Sequence, residues 1–125
     1  MLFLLELDRR LRAVCSPSVV TGCHPGLAIG TDLGRYSDSG MFGLFLKLAK
    51  PFANTPATGA WPTLLAATGP VTSDGYYGPM GFGAIKGAAG AAARSEMAHD
   101  TALVEQFWDA SVAMTGIDPG LPPAA

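Results

Sequence analysis

The sequence predicts an α/β protein with parallel strands that is incomplete as a domain. Three observations predict it. Segments alternate in the order helix, strand, Pro-Gly loop, helices, short strand, helix, which is the signature of a parallel sheet. Only two strands can be found, and a two-stranded sheet is marginal on its own. The better one, Ser18 to His24, carries Val19, Val20 and Cys23 in a run suited to burial on both faces. A strand of that kind needs neighbours along both edges. The expected architecture is two strands plus about four helices, cut from a larger sheet.

Composition sets the outer limits. The 125 residues fall within the range of one domain. Hydrophobic residues make up 49% and charged residues 14%, which excludes a disordered polyelectrolyte. Sixteen glycines and ten prolines predict a loop-rich chain. The net charge of -2 and the scattered basic residues leave no footprint for nucleic acid. No apolar stretch approaches the roughly 18 residues of a membrane span. The apolar start, Met1 to Leu5, meets Glu6 and Asp8 at once and lacks the basic start and cleavage site of a signal peptide. The expected location is the cytoplasm.

Residues 2 to 14 read as a helix. Leu4, Leu7, Leu11 and Val14 fall at helical spacing, Phe3 and Leu5 widen the apolar face at its beginning, and Glu6, Asp8, Arg9, Arg10 and Arg12 take the remaining faces. No capping residue precedes it, as though the chain entered the helix in its middle. Ser16-Pro17 ends the helix, and Pro25-Gly26 closes the strand that follows. Gly30 to Gly40 reads as a loop or lid. Met41 to Lys50 reads as a second helix stopped by Pro51, with Phe42, Phe45, Leu46 and Leu48 apolar. A third runs from about Thr58 to Thr68 with Trp61, Leu64, Leu65 and Thr68 on one face, Pro62 fitting only its first turn. Tyr76-Tyr77 is the second strand, and Gly78 to Ala93 reads as an irregular loop. The last helix spans about Asp100 to Thr115, capped by Asp100 and stopped by Gly116. Its expected core stripe is Ala102, Leu103, Phe107, Ala110 and Met114, flanked by Val104 and Trp108. Residues 118–125 form a flexible tail.

Two patterns invite chemistry and are set aside. Cys15, Cys23, His24 and His99 match no compact zinc pairing, and no metal is expected. Gly78, Gly81 and Gly83 resemble a phosphate loop, but no helix opens directly behind them to offer free N–H groups.

Four blocks carry a resemblance to a known family. Residues 2 to 11, Leu-Phe-Leu-Leu-Glu-Leu-Asp-Arg-Arg-Leu, resemble the second part of the active-site helix of short-chain dehydrogenases/reductases, in the bacterial retinol dehydrogenase and protochlorophyllide reductase-like group. Ser18 to Leu33, with His24-Pro25-Gly26 and Thr31-Asp32-Leu33-Gly34-Arg35, resembles the penultimate strand and nicotinamide loop. Tyr76-Tyr77-Gly78-Pro79 through Phe82-Gly83 resembles the final strand and its loop, and Val104 to Gly116 the closing helix. The resemblance implies the C-terminal part of a Rossmann-type doubly wound sheet, with the nucleotide-binding half absent. It also implies NAD or NADP as cofactor, not held tightly by this chain alone. Pro25 and Gly26 would pass the nicotinamide. The family's Thr falls by spacing at Gly30, and Thr31 stands one residue later. Phe42, Phe45, Leu46 and Trp61 would line an apolar substrate lid.

The resemblance also implies a Tyr and Lys four apart, a Ser and a glycine-rich turn, all placed upstream of Met1. No Tyr here is followed by Lys at that spacing. The expectation is a fragment of an NAD(P)-dependent oxidoreductase of alcohol or carbonyl groups, inactive alone. The alternatives are a non-catalytic association module, as a homodimer or with a partner chain over helix 2–14 and strand 19–24, or a pseudogene product.

Overall fold

The computed structural model describes residues 1–28, 48 and 50–124. The second predicted helix and the Gly30 to Gly40 loop lie, apart from Leu48 and Lys50, outside the described residues. The chain divides into two compact units, residues Met1–Gly22, Val71–Gly75 and Ala93–Ala125 in the first, Cys23–Pro70 and Tyr76–Ala92 in the second. Among the described residues the architecture is mixed α/β, with several helices and a small three-stranded sheet. Among the described residues no helix is long and apolar enough to cross a membrane.

The first unit is built on helix α1, Leu2–Ala13. It begins without a side-chain cap, as the sequence predicts. Its end is a Schellman turn: Ser16 N–H donates to the Leu11 carbonyl at 2.9 Å and Cys15 N–H to that of Arg12 at 2.9 Å. Cys15 takes the left-handed position (φ 54°) that glycine usually fills. The buried face of α1 differs from the predicted one. Leu5 is buried as expected, but Glu6, Asp8 and Arg10 are buried with it, whereas Leu4, Leu7 and Leu11 are half-buried, Phe3 is 40% and Val14 46% exposed. Charge goes inward because each buried group finds a partner one helical turn away.

The other long helix of this unit runs Thr101–Thr115. Asp100 caps it by accepting the Leu103 N–H at 3.1 Å, and Gly116 leaves it at φ 68°. Both ends stand as the sequence predicts. The core stripe is corrected: Val104 and Trp108 are buried, while Phe107 is 45% and Met114 88% exposed. The helix turns toward α1, where Leu5, Ala98 and Val104 form the apolar core. Phe3 stacks on the Trp108 indole at 4.9 Å, and the Arg10 guanidinium lies 4.6 Å from its ring centroid. Arg10 also donates to the Leu121 carbonyl at 3.1 Å, which pins the tail at one point.

In the second unit, Thr55 accepts the Thr58 N–H at 3.2 Å and opens a single turn, Pro56–Gly59, with Pro56 at its start. Helix Trp61–Thr68 follows, with Pro62 buried in its first turn. Trp61, Leu64, Leu65 and Thr68 share a face as expected, but that face is largely exposed, Trp61 at 49% and Leu64 at 57%.

The sheet order is β1-β2-β3, with β1 at Gly22–Cys23, β2 at Tyr76–Pro79 and β3 at Ala89–Ala91. Gly22 N–H donates to the Gly75 carbonyl at 2.9 Å and His24 N–H to that of Tyr77 at 3.0 Å. The two bonds advance in the same direction along both strands, the parallel pattern. The expected two-stranded, wholly parallel arrangement is overturned by β3, and the expected buried strand Ser18 to His24 shrinks to Gly22–Cys23, with Val19 58% exposed and Cys23 at the surface. It pairs antiparallel to β2, with Tyr77 opposite Ala91, Gly78 opposite Gly90 and Pro79 opposite Ala89. The stretch expected as a loop is therefore a hairpin whose arms are β2 and β3. Its glycine and alanine content hid the strand, because small residues carry no period-2 hydrophobic signal.

Candidate functional site

Ligands of open parallel sheets collect at the carboxyl ends of the strands. Here β1 delivers His24, Pro25 and Gly26 to that edge, and β2 delivers the segment through Ile85. Gly26 adopts φ 68°. A side chain there would overlap the Ile85 carbonyl oxygen and approach Pro79 Cγ to 2.7 Å. Only glycine lets the two segments meet so closely. Leu27 N–H donates to that same Ile85 carbonyl at 3.0 Å.

A buried side chain that sequence reasoning missed ties this edge together. The Asn54 carboxamide donates to the Pro25 carbonyl at 2.9 Å and to the Ile85 carbonyl at 3.3 Å. Its backbone N–H donates to the Leu27 carbonyl at 2.7 Å, and Ala28 and Asn54 form a parallel bridge. Asn54 is almost fully buried. In sequence it stands before Thr-Pro, where an asparagine reads as an ordinary turn residue. No local signal distinguishes it from one.

His24 completes the arrangement. Its Nδ1 accepts the Gly26 N–H at 3.3 Å, and its ring stacks on Tyr76 with centroids 5.3 Å apart. Gly78 faces the ring, and a Cβ there would overlap Nε2 and lie 2.6 Å from Cδ2. The imidazole thus occupies the space that the missing side chain leaves.

Of the residues proposed from sequence, Pro25 and Gly26 lie together at this edge. Thr31, Phe42, Phe45 and Leu46 lie outside the described residues. Trp61 projects from the start of its helix, half exposed. Cys15 and Cys23 are both free thiols at the surface, and Cys23 Sγ lies 3.5 Å from Thr63 Oγ1. Among the described residues no three His, Cys, Asp or Glu side chains converge as a metal site. The Gly78, Gly81 and Gly83 pattern lies within the hairpin, Gly78 on β2 and the other two in its connection, and β3 rather than an α-helix follows it.

The first unit holds a separate small cleft of about 170 Å³, lined in part by Asp8, Arg9, Asp74, Arg94 and Thr101. Its charges are already matched. Asp8 pairs with Arg12 at 2.7 Å and accepts the Ser73 hydroxyl; Arg94 pairs with Asp74 at 3.2 Å. Arg9 reaches Glu6 at 2.7 Å and Glu105 at 3.0 Å. Its hydrogen bond to Glu105 holds the guanidinium above its ordinary value, against the desolvation that lowers it, with Glu6 adding to the rise. A raised value gives stability that is complete below the ordinary one and lost only as pH climbs through the folded one. For a guanidinium that window lies far above neutrality.

No family model matches the chain, and no curated protein matches it. Among solved structures the chain is similar to an uncharacterized protein from Mycobacterium Paratuberculosis, with a TM-score of 0.65 and 29% identity. The likeness covers 97% of this chain and 36% of that one. This sequence therefore spans little more than a third of its neighbour's length.

Proposed function

We propose that this chain is the C-terminal part of an NAD(P)-dependent short-chain dehydrogenase/reductase acting on alcohol or carbonyl groups of an apolar substrate. The observation that carries the reading is the Pro25–Gly26 turn, held at the carboxyl edge of two parallel strands by Asn54 and Ile85. Such an edge is where a doubly wound sheet receives its dinucleotide. The structural likeness bears on length alone, since nearly all of this chain matches a minor share of a longer protein.

The fit to a nicotinamide cofactor is partial. Pro25 and Gly26 supply a fixed backbone turn for the nicotinamide end. For the phosphates, no glycine-rich turn opening a helix stands among the described residues. A Tyr and Lys four apart are also missing from the sequence, so the chain alone would not move a proton to a carbonyl oxygen. The pure 12.8 kDa chain, incubated with NADH or NADPH and an apolar aldehyde, is expected to show no reduction. Turnover would sink the reading. The native protein in an extract of its source, detected through a peptide from residues 96–116, is expected well above 12.8 kDa. At 12.8 kDa, the half-domain would stand as a product in its own right.

A second reading is a non-catalytic association module, as a homodimer or with a separate chain. The exposure of Phe3 and Val14 and the half-exposed Leu4, Leu7 and Leu11 on α1 favour it, because an amphipathic helix normally buries that face. Light scattering on the purified chain separates the two. A monomer with a single cooperative melt would count against association.

A further inference from the structure

We infer that the turn at the carboxyl edge of β1 is a proton-sensitive switch operated by His24. The switch stands on the geometry alone. Its functional consequence, a nicotinamide-side wall that comes apart in mild acid, rests on the reading proposed above.

The contact between His24 Nδ1 and the Gly26 N–H demands a neutral ring. With Nδ1 accepting, the ring proton sits on Nε2. Protonation places a second N–H on Nδ1, facing the Gly26 N–H, and an acceptor becomes a donor against a donor. Tyr76 stacks on one face of the ring and Gly78 packs against its Nε2 edge, and both contacts favour the present orientation. The repulsion therefore falls on Gly26, which holds a left-handed turn beside the Ile85 carbonyl and Pro79 where no side chain would fit. Release of Gly26 loosens the Leu27 bond to Ile85 and the Asn54 bond to Pro25, both of which need the turn closed.

Among the described residues little else near the ring titrates in the same range. Tyr76 faces it from β2, and Gly78 brings no side chain. Cys23, next in sequence, is directed to Thr63. Lys86, in the segment after β2, donates to the Pro51 carbonyl at 3.1 Å. Among the described residues the second unit holds no carboxylate at all, so none of them offers an ion pair to keep a protonated His24 in place.

The test is an NMR titration of the nitrogen-15-labelled full chain between about pH 5 and 8, the window in which histidine changes charge. The Gly26 amide is expected to shift with the same midpoint as the His24 ring. Its protection against exchange, taken relative to the intrinsic rate at each pH, should fall roughly two- to tenfold in the acid form, the worth of one hydrogen bond. His24→Asn supplies a side-chain oxygen that accepts the N–H two residues on, as asparagine does in turns, without titrating. That variant is expected to keep a protected Gly26 amide whose position no longer depends on pH. A Gly26 amide that stays still while His24 titrates overturns the switch, and so does a His24→Asn chain that follows the wild-type curve. Neither result touches the carbonyl-reduction and native-mass tests of the proposed function.

Discussion

The two units of this chain solve the same problem with opposite chemistry. The first buries charge: Glu6 is wholly enclosed, Asp8 and Arg10 nearly so, and every one of them is paired. The second carries no carboxylate among its described residues and closes its loops through Asn54, His24 and the close approach of glycine backbones. Removing one partner from a buried ion pair strands a charge, whereas removing one amide from a loop strands only neutral carbonyls. The first unit should therefore be the more brittle to single substitutions, and the second the more local in its response.

The largest effect is expected at Glu6. Glu6→Ala leaves Arg10 buried without its carboxylate and should destabilise the first unit by about 3–5 kcal/mol, measured by urea denaturation followed through Trp108. A loss under about 1 kcal/mol would mean that the network is solvated and the contrast false. Next comes Gly26→Ala, where a left-handed φ and a collision with the Ile85 carbonyl combine. A cost of about 2–3 kcal/mol is expected, with amide exchange quickening around residues 24–28 and 85. An alanine that leaves those amides protected would show that the turn relaxes freely.

Asn54→Ala should cost about 1–3 kcal/mol, the penalty of carbonyls left without donors. Since Leu27 still serves Ile85, the Pro25 carbonyl should carry most of that loss. Hydrogen exchange that changes along α1 rather than near Pro25 would break the assignment. The smallest effect belongs to Glu105→Ala, a half-exposed partner of Arg9. About 0.2–1 kcal/mol is expected, shrinking in high salt. A larger, salt-independent loss would place Glu105 inside the buried network instead of at its rim.

Several features are legible in the order of residues. The ends of the Thr101–Thr115 helix follow from Asp100 and Gly116, because capping is a local exchange between a side chain and its own first turn. The ion pairs on α1 also follow from spacing, since Glu6, Arg9 and Arg10, like Asp8 and Arg12, stand three or four residues apart. What misleads is the inference that charged residues face solvent. Pairing one turn along the helix lowers the cost of burying them, and the surroundings then choose which face turns in. The hairpin is illegible for another reason: Ala89, Gly90 and Ala91 pair through backbone alone, and backbone pairing leaves no mark on side-chain pattern.

The sequence by itself determined the uncapped start of the first helix, both ends of the last one, and that Pro25–Gly26 turns the chain sharply after a strand. Those are interactions over a few residues, and short-range chemistry is written in short-range order. Only the tertiary structure decided that α1 turns its charges inward, that Val104 and Trp108 rather than Phe107 and Met114 meet it, and that Asn54 anchors a turn 29 residues earlier. Each of those depends on partners that sequence order does not bring together, and burial is settled by whichever surface the fold presents.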